Sequence, residues 1–253
     1  KKYHQLYAGI VLQAYVPDSY HHLLDLQTWS TQRVKSGGSP IKVRIVKGAN
    51  LEMEKHESSL KGWPEATHSK KAFTDAQFKK MLQRVLTRKS CQSMRVGVAT
   101  HNIFDLAYAC LLIDQNSLDD FVDIEMLEGL AENLLTPLKK RNLSLLLYTP
   151  VIKSNQFLSG IAYLVRRMDE ATSVGNFLRE SVDMRVDDPE WKKLQEAFEQ
   201  SFLLMDDLKL VSNKIQNRLN QIIFETPIFL NAPDTDWTLE PNRIWAKQIL
   251  DKW

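Results

Sequence analysis

Residues 41–50 read Ile-Lys-Val-Arg-Ile-Val-Lys-Gly-Ala-Asn, a short β-branched run that ends in a lysine, a glycine and an amide. Branched residues at 41, 43, 45 and 46 favour an extended strand. Arg44 lies inside that strand and keeps its charge at any ordinary pH, so it needs a partner. Two partners suit it. One is an electron-rich ring that gains negative charge during a reaction; the other is an ion pair with Asp123 or Glu125. Lys47-Gly48 then closes the strand with an ammonium and a residue free to turn.

Four more runs have this shape, at 9–16, 94–99, 121–127 and 143–149. Several are nearly continuous in Val, Ile and Leu, which predicts parallel strands covered on both faces. Helical patterns follow at 22–34, 75–86, 103–113, 130–140 and 156–168. Thr74 and Asn102 stand at N-cap positions, and Gly37-Gly38 marks a helix stop. Five β-α repeats call for right-handed crossovers and one parallel sheet. Polar residues crowd the strand ends: Gln13, Lys47 to Asn50, Thr100 to Asn102, Glu125 to Gly129, and Tyr148 to Pro150. A (β/α)8 TIM-type barrel builds its site on that face. The expectation is therefore an α/β fold, an incomplete barrel of about five βα units followed by C-terminal helices. An open sheet is the alternative.

Residues 50–73 read as a long polar excursion without clear structure. Beyond 170 the βα pattern stops. A helix is expected over 189–210, with Pro189 near its start and Trp191, Leu194, Phe198 and Phe202 as its apolar stripe. Residues 226–241 are turn-rich, and 242–253 form a last amphipathic piece carrying Trp245 and Trp253. The chain thus divides into 1–180, a helical region 181–225 and a linker-like 226–253.

With 33 basic and 31 acidic residues among 253, interspersed rather than blocked, nothing speaks for a nucleic-acid partner. Cys91 and Cys110 have neither a disulfide framework nor metal-ligand spacing, and a reducing, cytoplasmic setting fits. No run approaches the roughly 18 apolar residues of a membrane span.

Tyr163, Arg166, Arg167 and Glu170 are spaced i, i+3, i+4, i+7 and share one helix face. Two permanent cations beside Ile161, Leu164, Val165 and Met168 suggest a bound carboxylate. A solvated face with local ion pairs is the other reading. Thr100-His101-Asn102 sets a hydroxyl, an imidazole and an amide at a helix start, where an anion or carbonyl is readily held. Neither zinc-protease histidine spacings nor G-x-G-x-x-G, P-loop or G-x-S-x-G motifs occur, so no metal is assigned, and a nucleotide cofactor would be held off any Rossmann turn.

Six ordered motifs resemble the proline dehydrogenase domain of the bifunctional proline utilization A family: LQAY at 12–15, RIVKGANL at 44–51, ATHN at 99–102, EMLEG at 125–129, LLYTPV at 146–151 and YLVRRMDE at 163–170. NAPDTD at 231–236 and NRIW at 242–245 resemble the approach to that family's aldehyde dehydrogenase domain, which uses NAD. The resemblance implies FAD-dependent oxidation of L-proline to Δ1-pyrroline-5-carboxylate. Electrons pass to a membrane quinone, by peripheral contact of the parent with the membrane. A homo-oligomer is a further partner arrangement.

By that resemblance, Arg166 and Arg167 clamp the proline carboxylate and Glu170 orients them. Tyr148, Tyr163 and Leu127 wall the ring. Arg44 resembles the arginine near flavin N5, and Gln13 a hydrogen-bond partner of the isoalloxazine. Lys47 and Gly48 lie along the cofactor. Lys71 and Thr74 reach toward its phosphate or adenosine part. Thr100, His101 and Asn102 border its ribityl and pyrophosphate portion, Glu125 and Met126 are further flavin contacts, and Phe177 meets the adenine side.

Asn50 stands where some members carry a tyrosine. The family barrel also has three earlier strands, with a substrate-side lysine and an aspartate, so this chain by itself is expected to bind FAD weakly and to turn over no appreciable proline. Two other readings compete: a Schiff-base lyase or aldolase using Lys47 with Glu125 for proton transfer, and a non-catalytic truncated barrel.

Overall fold

The computed structural model describes residues 3–130, 132–172, 177–180, 184–220, 228–229 and 231–253, with the side chains of 132–133 and 169–172 excepted. The first half of the chain runs β1 (Gly9–Gln13), α1 (Ser19–Lys35), β2 (Ile41–Val46), α2 (Leu51–Lys61), α3 (Lys71–Val85), α4 (Arg88–Cys91), β3 (Met94–Ala99) and α5 (Ile103–Asn116). It continues with β4 (Val122–Leu127), α6 (Glu132–Lys140), β5 (Ser144–Tyr148), α7 (Phe157–Thr172), α8 (Phe177–Glu180), α9 (Pro189–Leu203) and α10 (Glu240–Leu250). The five strands form one parallel sheet in the order β1-β2-β3-β4-β5. This is the expected α/β architecture, five βα units of an incomplete barrel followed by helices.

The strands are not covered alike on their two faces. Ile41, Val43 and Ile45 of β2, Met94, Val96 and Val98 of β3, and Val122, Ile124 and Met126 of β4 are buried in one core. Leu23 of α1, Phe78, Met81 and Leu82 of α3, and Leu106 and Ile113 of α5 close over them. The opposite, inner face carries Lys42, Arg44, Asp123 and Glu125. The expectation of apolar cover on both faces is corrected here. Among the described residues the helices named above cover the outer face, and the charges stand on the face a closed barrel would enclose. Ile10 and Val11 of β1 and Leu146 and Leu147 of β5 remain exposed at the sheet's two edges.

Two local expectations also change. Residues 51–61 are helical, not structureless; Glu52 and Glu54 in the first turn of α2 and Lys61 in its last complement the helix dipole. Gly62 closes that helix at φ 66°. Thr74 caps nothing, because α3 begins three residues earlier, at Lys71. Asn102 does cap α5: its Oδ1 accepts from Phe104 N at 2.9 Å and Asp105 N at 3.3 Å.

The helix expected over 189–210 ends at Leu203. Its stripe packs as foreseen, with Trp191 and Phe198 at 4.8 and 5.7 Å from Phe104 and Phe202 at 5.0 Å from Tyr108, ring to ring. The stretch around Asp234 is tied to the end of α2: Trp63 Nε1 donates to Asp234 O at 2.7 Å, and Asp234 N to Lys61 O at 2.9 Å. Trp245 is half-buried, whereas Trp253 is exposed. No helix among the described residues is long and apolar enough to cross a membrane.

Candidate active site

A cleft of about 280 Å³ opens at the C-terminal ends of the strands. It collects Gln13 from β1, Arg44, Lys47 and Gly48 from β2 and its turn, and Thr100, His101 and Asn102 from the end of β3. Glu125 and Leu127 come from β4, Lys71 from α3, Arg167 from α7 and Phe177 from α8. Twelve of the residues singled out in the sequence thus line one cavity, because parallel strands deliver all their C-terminal ends to one side. A second cavity, of about 20 Å³ beside Trp63 and Lys214, has room for little more than a water.

Arg44 Nε lies 2.7 Å from Glu125 Oε2, and its guanidinium carbon is 4.5 Å from the Tyr148 ring centre. The ion pair foreseen as one partner of Arg44 is therefore present. Tyr148 holds its phenol proton more tightly than usual, through burial and then the adjacent Glu125 carboxylate. Tyr148 sits under Arg44 rather than among the cleft-lining residues.

Lys47 is held by a network that its own neighbourhood in the sequence does not reveal. Its Nζ meets Asp75 and lies 2.6 Å from Asp105 Oδ2. Lys71 pairs with Asp75 at 2.5 Å, and the fully buried Lys79 with Asp105 at 3.2 Å. Burial opposes the Lys47 charge, but Asp105 and Asp75 outweigh it and raise its pKa above the ordinary lysine value. Burial likewise opposes the Asp75 charge, and Lys47 and Lys71 override it, holding that carboxyl below its usual range. An imine-forming lysine must offer a free amine, so this arrangement gives the Schiff-base reading no support.

Gly48 has φ 136°, and a Cβ there would run into the Tyr15 ring. The turn after β2 therefore needs glycine twice over, for conformation and for room. His101 joins the ends of two strands, since Leu127 N donates to its Nε2 at 3.0 Å. That nitrogen must be unprotonated to accept, and burial lowers the imidazole pKa. His68, buried against Gln77, is lowered by burial too. Burial favours the neutral form of both imidazoles in the folded protein, so their contribution to stability is complete above the ordinary value of 6.5 and lost as pH falls through their lowered values. The urea midpoint should fall between about pH 8 and pH 5 and fall less in His68→Gln. An unchanged midpoint over that range would contradict the assignment.

Arg167 lines the cleft with its guanidinium carbon 5.4 Å from the Tyr163 ring centre, while Arg166, one residue earlier on α7, is exposed. Glu170 belongs to α7, but its side chain lies outside the described residues. Met126 packs into the core on the sheet's outer face and can offer the cleft only its backbone. Thr74 is half-buried on α3 and does not line the cleft. Sequence reasoning missed Val11, Leu130 and Leu178 on the cleft wall, and Asp75 and Asp105 beneath it.

The family model described as proline dehydrogenase matches residues 1–180. A search of curated proteins gives no match. Among solved structures, proline utilization A from Corynebacterium freiburgense is 32% identical with a TM-score of 0.80, over 98% of this chain and 23% of that one. The Bdellovibrio bacteriovorus protein, solved after inactivation by N-propargylglycine, is 26% identical with a TM-score of 0.77, over 99% of this chain and 24% of that one. A variant from Bradyrhizobium japonicum is 22% identical with a TM-score of 0.62, over 78% and 19%, and shows the fold alone. The chain spans about a quarter of the length of the first two. With its model matched over residues 1–180 and its five-stranded parallel sheet in place, this chain belongs to the proline dehydrogenase family.

Proposed function

We propose that the cleft is the flavin and substrate site of an FAD-dependent proline dehydrogenase that forms Δ1-pyrroline-5-carboxylate. The observation carrying this reading is the gathering of Arg44, Lys71 and Arg167 with the capped start of α5 in one cleft of a chain of this family. The donor set suits the group. Lys71 and the start of α5 favour phosphate oxygens, and Gln13, Arg44 and His101 offer polar contacts to a flat heteroaromatic ring. Val11, Val46, Leu127 and Leu130 supply apolar wall. A bound flavin would provide the two-electron acceptor that no side chain can.

The chain's own residues bind, orient and exclude water. Arg167 holds the proline carboxylate, with Arg166 beside it on α7, and the Tyr163 ring steadies Arg167. Leu127 sets the ring's position, and Tyr148 supports Arg44 from below. Orientation supplies most of what is needed, and no strong protein base is required once the substrate amine is neutral.

Residues 1–180 act, on this reading, as the C-terminal part of a barrel, with 181–225 a helical region and 226–253 leading to an aldehyde dehydrogenase domain that uses NAD. A membrane quinone takes the electrons, and the parent protein forms a homo-oligomer. The exposed sheet edges support the barrel assignment, since Ile10, Val11, Leu146 and Leu147 are suited to neighbours on both sides.

Equilibrium FAD binding tests the reading. Saturable binding by this chain is expected, and at least about tenfold tighter binding when three further βα units close the barrel, since solvent then leaves the site. No binding by either form would overturn the proposal.

A further inference from the structure

Glu125 is fully buried on the charged, inner face of β4. Its carboxylate reaches across β3 to β2, where Oε1 lies 2.7 Å from Lys42 Nζ and Oε2 lies 2.7 Å from Arg44 Nε. Most side chains on the intervening strand would block that reach. Gly97 stands in register between Arg44 and Asp123, and a Cβ placed there would strike the Glu125 carboxylate and come within 3.2 Å of Lys42 Cε. Glycine is used here for space, not for an unusual backbone.

The cluster closes on itself. Lys42 also pairs with Asp123 at 2.7 Å, so two cations meet two carboxylates and their formal charges cancel. Both Glu125 oxygens are buried and face a cation at 2.7 Å, so the cluster is sensitive to any charge removed nearby. Arg44 and Glu125 both line the cleft, whereas Lys42 does not.

Resting on the flavin reading above, we infer that Glu125 is a positioning residue that fixes Arg44 at the cleft wall and sets the charge a bound flavin meets there, through the opening left by Gly97. A flavin gains negative charge on reduction, so a more positive wall favours its reduced form. Glu125→Gln leaves the four-group cluster one charge positive. Lys42→Met leaves it one charge negative, without touching a cleft residue. The two substitutions should move the same equilibrium in opposite directions, which a merely structural role would not produce.

The test is the reduction potential of the FAD-loaded protein, read by equilibration with a reporter dye. In Glu125→Gln the reduced-to-oxidised ratio at a fixed potential should rise about tenfold, or about 30 mV for a two-electron couple. In Lys42→Met it should fall by a similar factor. If Glu125→Gln fails to fold, the direction of the Lys42→Met shift decides. Unchanged potentials, or shifts of the same sign, in a protein that binds flavin would overturn this inference and leave the flavin reading intact. Failure of both this chain and its barrel-closed form to take up flavin would overturn both.

Discussion

Asp105→Ala should lower folding stability by about 3–5 kcal/mol, the cost of breaking a buried pair and stranding its partner. Asp105 and Lys79 each keep 1% of their side-chain surface exposed, and Asp105 also lies 2.6 Å from Lys47. The alanine would leave two ammonium groups facing each other without the carboxylate that separates them. Lys79 is already under strain of this kind: burial lowers its pKa, and the like charge of Lys47 adds to that effect. Its Nζ also lies 4.4 Å from the Phe198 ring centre, so the loss should spread to α9. Urea denaturation of the single mutant measures the cost, and Lys79→Met in the same background should recover part of it, because the stranded charge is gone. A loss below about 1 kcal/mol would mean that water reaches the pair and that the network holds little.

Arg167→Met should lower kcat/KM for proline about 10- to 150-fold in the FAD-loaded parent protein, the equivalent of a charge-assisted contact of about 1.5–3 kcal/mol. FAD affinity should change little, since the substitution removes a substrate contact. Arg166→Met should act in the same direction but less strongly, because Arg166 is exposed while Arg167 lines the cleft beside Tyr163. Loss of FAD affinity in step with proline use would move Arg167 from substrate to cofactor. Unchanged kcat/KM in both mutants would remove the arginine clamp.

The strands were legible because Ile41 to Val46 and its counterparts are short, branched and bounded by turns, and the structure ends them within a few residues of the expected places. Helix α2 was not, because Leu51–Lys61 carries few apolar residues and is held partly by charges at its ends. Thr74 misled because a threonine before a helical pattern resembles a cap, whereas α3 starts at Lys71 after an extended Lys70.

At the site, the strand-end motifs were readable as a list and the cleft gathered most of them. Their partners were less readable. Lys47 meets Asp75 on α3 and Asp105 on α5, and no local spacing announces that three elements converge on one ammonium. Met126 shows the limit of motif reading from the other side: it lies in EMLEG between Glu125 and Leu127, and strand alternation sends its side chain into the core.

Anaerobic addition of L-proline to the FAD-loaded protein, with the barrel closed by three further βα units, is followed at the visible flavin band. Bleaching is expected that saturates with proline and is much slower in Arg167→Met at subsaturating proline. A bound flavin that stays oxidised at high proline concentration would contradict the proposed function.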